Sequence, residues 1–238
     1  MRLLQINKHG GLSLTEEFHN EIPPYAILSH TWGREEVTFR DFVDGTAHKK
    51  SGYRKIFWCG KQAAHDGLQF LWVDTCCINK SSSAELTEAI NSMFAWYQHA
   101  EKCYAYLYDV SWPGLESRGP VPKRTLQELS RSRWFTRSWT LQELLAPKSV
   151  EFFTAGWVRI GDKHSLLQEI HETTRIPIRA IEGAALSEFS VEERLSWASQ
   201  RTATHQEDEA YSLLGIFGIF LPTIYGEGKF AYARLLRK

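Results

Sequence analysis

The chain has 238 residues, 43% of them hydrophobic and 13% aromatic, enough apolar material to bury a sizeable core. Its 28 Lys and Arg balance 28 Asp and Glu, so no charge excess points to nucleic acid or to an anionic membrane as a partner. Neither a signal-peptide pattern at Met1-Arg2-Leu3-Leu4-Gln5 nor an apolar run approaching the ~18 residues of a membrane span occurs, which predicts a cytoplasmic protein.

The first element is an apolar run over residues 24–30, Pro-Tyr-Ala-Ile-Leu-Ser-His. It reads as a buried strand that ends in polar groups, followed by a turn at Thr31-Trp32-Gly33 and a possible short extension at Val37-Thr38-Phe39. Tyr53, Ile56, Phe57, Gly60, Ala63 and Ala64 recur at three- and four-residue spacing, so 52–66 is expected to be a helix with one buried face, ended by Gly67. Residues 69–74 are a second buried strand tipped by Asp74. A loop is expected from Thr75 to Ser82, then a helix capped by Ser83, with Glu85 and Glu88 near its positive end and an apolar stripe to about residue 100.

Residues 102–108 read as a third strand. The breaker-rich stretch 111–123 reads as a mobile loop, because it holds Pro113, Gly114, Gly119, Pro120 and Pro122. A helix is expected at roughly 134–146, stopped by Pro147, then a strand at 149–153 with 157–160 pairing beside it as a hairpin. Beyond residue 162 only helices are expected, at 163–173, 190–200, 206–217 and 228–237. The last of these looks unfinished at Arg237-Lys238, which suggests a domain taken from a longer protein.

Strands alternating with helices imply an α/β fold with a mainly parallel sheet flanked by helices. The expected division is an α/β core over residues 1–162 and a helical appendage over 163–238, together one domain. The cysteines Cys59, Cys76, Cys77 and Cys103 lack Cys-x-x-Cys spacing and read as buried free thiols rather than as a disulfide framework or a zinc site. No Gly-x-Gly-x-x-Gly follows a strand and no Walker lysine motif occurs, so no bound cofactor is expected. No metal site is expected either, although Glu207-Asp208-Glu209 forms an acidic cluster whose alternative is a solvated helix start. Tyr225-Gly226-Glu227-Gly228 reads as a turn.

Several strings occur together. They are Tyr25-Ala26-Ile27-Leu28-Ser29-His30-Thr31-Trp32-Gly33, Trp72-Val73-Asp74-Thr75-Cys76-Cys77-Ile78-Asn79-Lys80, Arg133-Trp134-Phe135-Thr136-Arg137-Ser138-Trp139-Thr140-Leu141-Gln142-Glu143-Leu144-Leu145-Ala146-Pro147, and Glu207 to Phe217 followed by Tyr225-Gly226-Glu227-Gly228. In this order they resemble the heterokaryon-incompatibility (HET) domain, especially the N-terminal domains of fungal NLR-like receptors. That resemblance implies a cell-death effector activated by oligomerisation. It also implies self-association through a larger receptor with nucleotide-binding and repeat modules, neither of which is in this sequence. The near-neutral charge also favours self-association or attachment to a larger chain.

A second resemblance is to TIR domains, which gives the fold expectation its TIR-like, flavodoxin-like form. Many TIR domains cleave NAD+ at the nicotinamide–ribose bond with a glutamate on their third helix. Trp139-x-x-x-Glu143 resembles that element, with Thr140 where plant TIR domains often carry cysteine. The resemblance implies NAD+ as substrate and Glu143 as the catalytic residue. Four residues apart on a helix, Trp139 and Glu143 would share one face. A carboxylate near the sugar stabilises oxocarbenium character as nicotinamide leaves. The structural alternative for Glu143 is a solvated helix residue, or an ion-pair partner of Arg137 or Lys148.

Ser29, His30 and Asp74 end two strands, where open parallel sheets bind ligands, so substrate contact is expected of them. The alternative for His30 is to cap a neighbouring element and for Asp74 to fix a loop, and Trp32 is either a stacking wall or core. Arg131, Arg133 and Arg137 can meet a diphosphate, or can form salt bridges to Glu207-Asp208-Glu209. The competing function is a death-signalling interaction module without chemistry.

Overall fold

The computed structural model describes residues 1–7, 10–19, 21–112 and 120–238. Most of the breaker-rich stretch expected to be mobile lies outside the described residues. Seven strands share one sheet: β1 (Leu4–Ile6), β2 (Leu12–Leu14), β3 (Ala26–His30), β4 (Phe70–Trp72), β5 (Lys102–Leu107), β6 (Val150–Thr154) and β7 (Arg159–Asp162). Their spatial order is β2-β1-β4-β3-β5-β6-β7. The four central strands pair in parallel. Both edges are antiparallel, β1 and β2 beside β4 and the β6–β7 hairpin at the other side. In chain order the central strands stand second, first, third, fourth, which is the flavodoxin-like winding with its switch point between β3 and β5.

The helices before the hairpin are α1 (Phe39–Val43), α2 (Tyr53–His65), α3 (Asp74–Cys77), α4 (Ser83–His99), α5 (Lys123–Ser130) and α6 (Thr140–Leu145). After it come α7 (Leu167–Thr174), α8 (Ile178–Ile181), α9 (Val191–Ser196), α10 (Asp208–Tyr211), α11 (Leu214–Phe217) and α12 (Phe230–Leu235). All five residues of β3 are buried, as are all five of β6, because helices cover both faces of the central sheet. Alternation along the strands sorts the faces. Tyr104 on β5, in register with Leu28, reaches Asp66 at the end of α2. Ser29, one residue on, reaches Glu143 on α6, so α2 and α6 lie on opposite faces.

Several local expectations are corrected. Val37-Thr38-Phe39 is not a strand extension; Thr38 caps α1 in a reciprocal capping box with Asp41. The loop after β4 opens with the helical turn α3. The cap of α4 is Ser82 rather than Ser83. The helix expected over 134–146 is broken into a 3₁₀ turn, Arg133–Thr136, and α6. Arg137 between them is extended, held by a parallel bridge to Thr202 through Thr202 N to Thr136 O (2.7 Å) and Ser138 N to Thr202 O (3.0 Å). A long-range pairing thus overrides the local helical pattern. The helix expected over 206–217 is likewise two short helices, and β1, β2, α5 and α8 add to the expected set.

The region after residue 162 shares the core of the sheet: Leu166, Ile170, Ala210, Leu214 and Ala231 belong to the same buried cluster as Ile27 and Leu71. Gly215 on α11 lies so close to α4 that a Cβ there would stand 2.1 Å from that of Phe94. The four cysteines are buried and unbridged, and burial raises the thiol pKa of each. No helix among the described residues is long and apolar enough to cross a membrane.

Candidate active site

A cleft of about 370 Å³ opens at the C-terminal ends of β3 and β4. Of the residues singled out in the sequence, His30, Trp32, Asp74, Arg137, Trp139 and Glu143 line it. Ser29 lies beneath, fully buried.

Glu143 sits at the base, buried by α6 against the sheet. It is therefore not the solvated helix residue that was one reading, and it pairs with neither Arg137 nor Lys148. The indole Nε1 of Trp134 donates to Ser29 Oγ (2.8 Å), and that hydroxyl in turn donates to Glu143 Oε2. Because the indole can only donate, the serine proton is left free to point at the carboxyl group. Burial pushes the Glu143 carboxyl up to about 8, and the Asp74 charge adds to the rise. The Ser29 and Tyr97 hydrogen bonds and the Arg201 charge oppose it.

Asp74 organises the rim. Its Oδ1 meets His30 Nε2 (3.0 Å), and its Oδ2 accepts from Trp32 Nε1 (3.0 Å) and Lys80 Nζ (3.3 Å). Burial works against its charge, but Lys80 and the His30 hydrogen bond outweigh that and hold the carboxyl well below the usual carboxylate range. Against the ionised Asp74, His30 Nε2 carries a proton, and the buried Nδ1 has no partner among the described residues. Lys80 also lies 3.7 Å from the centre of the Trp32 ring, so one face of that half-exposed indole is already covered by a cation. The loop carrying Lys80 is anchored by Glu85, whose carboxylate accepts from Asn79 N (2.8 Å).

The other wall comes from the C-terminal region, and sequence reasoning missed it. Thr204, His205, Asp208 and Tyr225 face the cleft. Asp208 accepts from the Tyr225 hydroxyl (2.8 Å) and from the Trp139 side chain, and burial raises its carboxyl pKa. Glu207 accepts from Gly226 N (2.7 Å) and Gly228 N (2.9 Å), so this acidic pair clamps the turn that presents Tyr225. The signal was present in the string pair Glu207-Asp208 and Tyr225-Gly226, whose apparent roles as a helix start and a turn concealed their contact. No ion pair joins Arg131, Arg133 or Arg137 to this acidic cluster among the described residues; Arg137 instead donates to Thr204 Oγ1 (3.0 Å). No group of three or more potential metal ligands converges among the described residues.

Ile78, Leu86, Ile90 and Met93 form an apolar side of the cleft between these polar walls. An aromatic ring can lie against such a surface while polar groups hold what is attached to it. The sequence profile described as "Heterokaryon incompatibility protein (HET)" matches residues 25–121. A curated relative, "Vegetative incompatibility protein HET-E-1" of Podospora anserina, is 54% identical over 233 residues, 96% of this chain. The chain spans 17% of the length of that relative. No solved structure matches it.

Proposed function

The chain belongs to the heterokaryon-incompatibility family, and from that membership we propose that it is a death-inducing effector domain of fungal incompatibility that hydrolyses NAD+ at the nicotinamide–ribose bond. The observation that carries this reading is the Glu143 carboxyl, buried at the base of an open cleft, hydrogen-bonded by Ser29 and flanked by Trp139 and the His30–Asp74 pair.

In this reaction the bond from the ribose C1′ to the pyridinium nitrogen breaks. Its electron pair stays on nicotinamide, which leaves neutral, and the ribose carries oxocarbenium character. Water then adds at C1′ and releases a proton, giving ADP-ribose. The Glu143 carboxyl, largely neutral near pH 7 in the empty cleft, gives its proton to solvent as the pyridinium end of the substrate and the charge that develops on the ribose favour its ionised form. The apolar side of the cleft takes the nicotinamide ring and excludes water from it. Arg137 and Lys80 supply cations for a diphosphate, Lys80 by leaving the face of Trp32 that it covers. The domain is switched on when a larger receptor brings copies together.

Incubating artificially clustered protein with NAD+ and separating the products tests this. Nicotinamide and ADP-ribose in equal amounts are expected; unchanged NAD+ at high protein concentration rejects the enzymatic reading. One observation favours a non-catalytic interaction module instead: Phe220, Phe230 and Leu236 are 75%, 64% and 58% exposed. Cell killing that persists after NAD+ cleavage has been abolished would select that second reading.

A further inference from the structure

Arg201 approaches α6 from behind the cleft. It is 7% exposed and none of its atoms lines the cleft. Its Nη1 donates to Arg137 O (3.0 Å) and Thr140 Oγ1 (2.9 Å), and its Nε donates to Trp197 O (3.3 Å). Its Nη2 is buried with no partner, and no carboxylate lies within ion-pair distance of it among the described residues. A buried guanidinium with a free nitrogen and no counter-ion is costly to keep. Burial lowers its pKa to about 10, and the only opposing influence is Glu143.

We propose that Arg201 is a positioning residue that stabilises the ionised form of Glu143 during turnover, acting through α6 rather than on the substrate. The geometry supports both parts. Arg201 ties down the first turn of α6 at Thr140, three residues before Glu143 and one helical turn away. Around Glu143 stand Asp74 from α3, Tyr97 from α4 and Cys103 from β5, and His30 from β3, Lys80 from the loop after α3, Arg137 before α6 and His205 and Asp208 from the C-terminal wall line the same cleft. Asp74 disfavours a second negative charge, while Tyr97 supplies a hydrogen bond and Cys103 is a buried thiol. Arg201 is the buried cation whose charge bears on Glu143 from outside the cleft, where no substrate phosphate can reach it. In the resting cleft Glu143 keeps its proton and Arg201 has no charged partner; when Glu143 releases that proton to solvent in the open cleft, the guanidinium behind α6 offsets the new negative charge from a distance, without a direct ion pair.

This inference deepens the proposed reading of the cleft, but its test needs no turnover. The full chain is labelled with ¹³C at glutamate side chains, and the Glu143 carboxyl signal is identified by its loss in Glu143→Gln. Its titration midpoint is then compared with those of Arg201→Gln, which keeps hydrogen-bonding capacity without charge, and Arg201→Lys, which keeps charge. The midpoint is expected to rise by roughly one pH unit or more in Arg201→Gln and to stay near wild type in Arg201→Lys. An unmoved midpoint in a folded Arg201→Gln overturns the proposal, since a purely structural role would leave it in place. Should that variant not fold, the wild-type guanidinium ¹⁵N signal of Arg201 decides. It is expected to shift with the Glu143 midpoint and to lie flat in Glu143→Gln; a signal insensitive to pH in the wild type rejects the proposal. Failure of NAD+ cleavage leaves either result standing, so the two ideas fall separately.

Discussion

Glu143 is buried, and burial changes what its substitution does. Glu143→Gln keeps the shape and most of the hydrogen bonding while removing the charge that would stabilise the ribosyl cation. NAD+ consumption is expected to fall on the order of 100-fold or more, measured on folded protein. Stability moves the other way. The folded carboxyl holds its proton up to about 8 against an ordinary value of 4.5. Its contribution is therefore complete below about 4.5 and is lost as pH rises through about 8, at up to about 1.4 kcal/mol per pH unit. Glu143→Gln should remove that slope and be the more stable protein at neutral pH; denaturant melts from pH 5 to 8 that run parallel for the two proteins contradict the burial. Asp74→Asn should act twice. Losing the anchor for His30, Trp32 and Lys80 is expected to cost about 1–3 kcal/mol in kcat/KM. Removing a charge that opposes ionisation of Glu143 should also move the pH–rate inflection downward. An inflection that moves up, or not at all, separates Asp74 from the carboxyl.

Among elements, α6 is the one whose placement makes the site. It starts at Thr140 because the chain before it is pulled extended at Arg137 by Thr202. A continuous helix from 134 would have carried Trp139 and Glu143 on one turn-spaced face but without the bridge that brings Arg201 behind them. Helix packing elsewhere is equally strict. Gly215 lets α11 lie against Phe94 of α4, and a Cβ would overlap that side chain at 2.1 Å. Gly215→Ala is expected to destabilise by about 1–3 kcal/mol, which for a chain of this size lowers Tm by at least about 2 °C. A thermal melt coinciding with wild type would mean that α11 and α4 stand further apart in solution.

For the whole molecule, the cleft has two walls from distant parts of the chain, His30, Trp32 and Asp74 on one side and Thr204, His205, Asp208 and Tyr225 on the other. Residues 1–162 alone would lose Tyr225, Asp208 and Arg201 and would expose apolar surface where Leu166, Ala210 and Leu214 now pack. That fragment is expected to lack a cooperative melt by circular dichroism; a sharp transition would show that the α/β part stands alone. Clustering the intact chain on a scaffold is expected to raise NAD+ cleavage per molecule, and equal rates for dilute monomer and clustered protein would remove proximity from the mechanism.

The amino-acid sequence alone determined the alternating strands and helices, because apolar runs such as Tyr25–Leu28 and stripes such as Ile56–Ala63 can be buried in only one way. It also marked His30 at a strand end and Asp74 just beyond one, whereas Glu143, on a helix, was legible only through the resemblance of Trp139-x-x-x-Glu143 to TIR domains. What it did not contain locally was decided by tertiary contact. The break at Arg137, the burial of Glu143 and the clamp of Glu207 and Asp208 on the Tyr225 turn all depend on partners tens of residues away. The short edge strands β1 and β2 were missed because three residues show too little alternation to read. They form by pairing with each other and with β4. The ionisation of Glu143 is of the same kind: a glutamate near 4.5 in the unfolded chain is carried to about 8 only when the fold strips away its water.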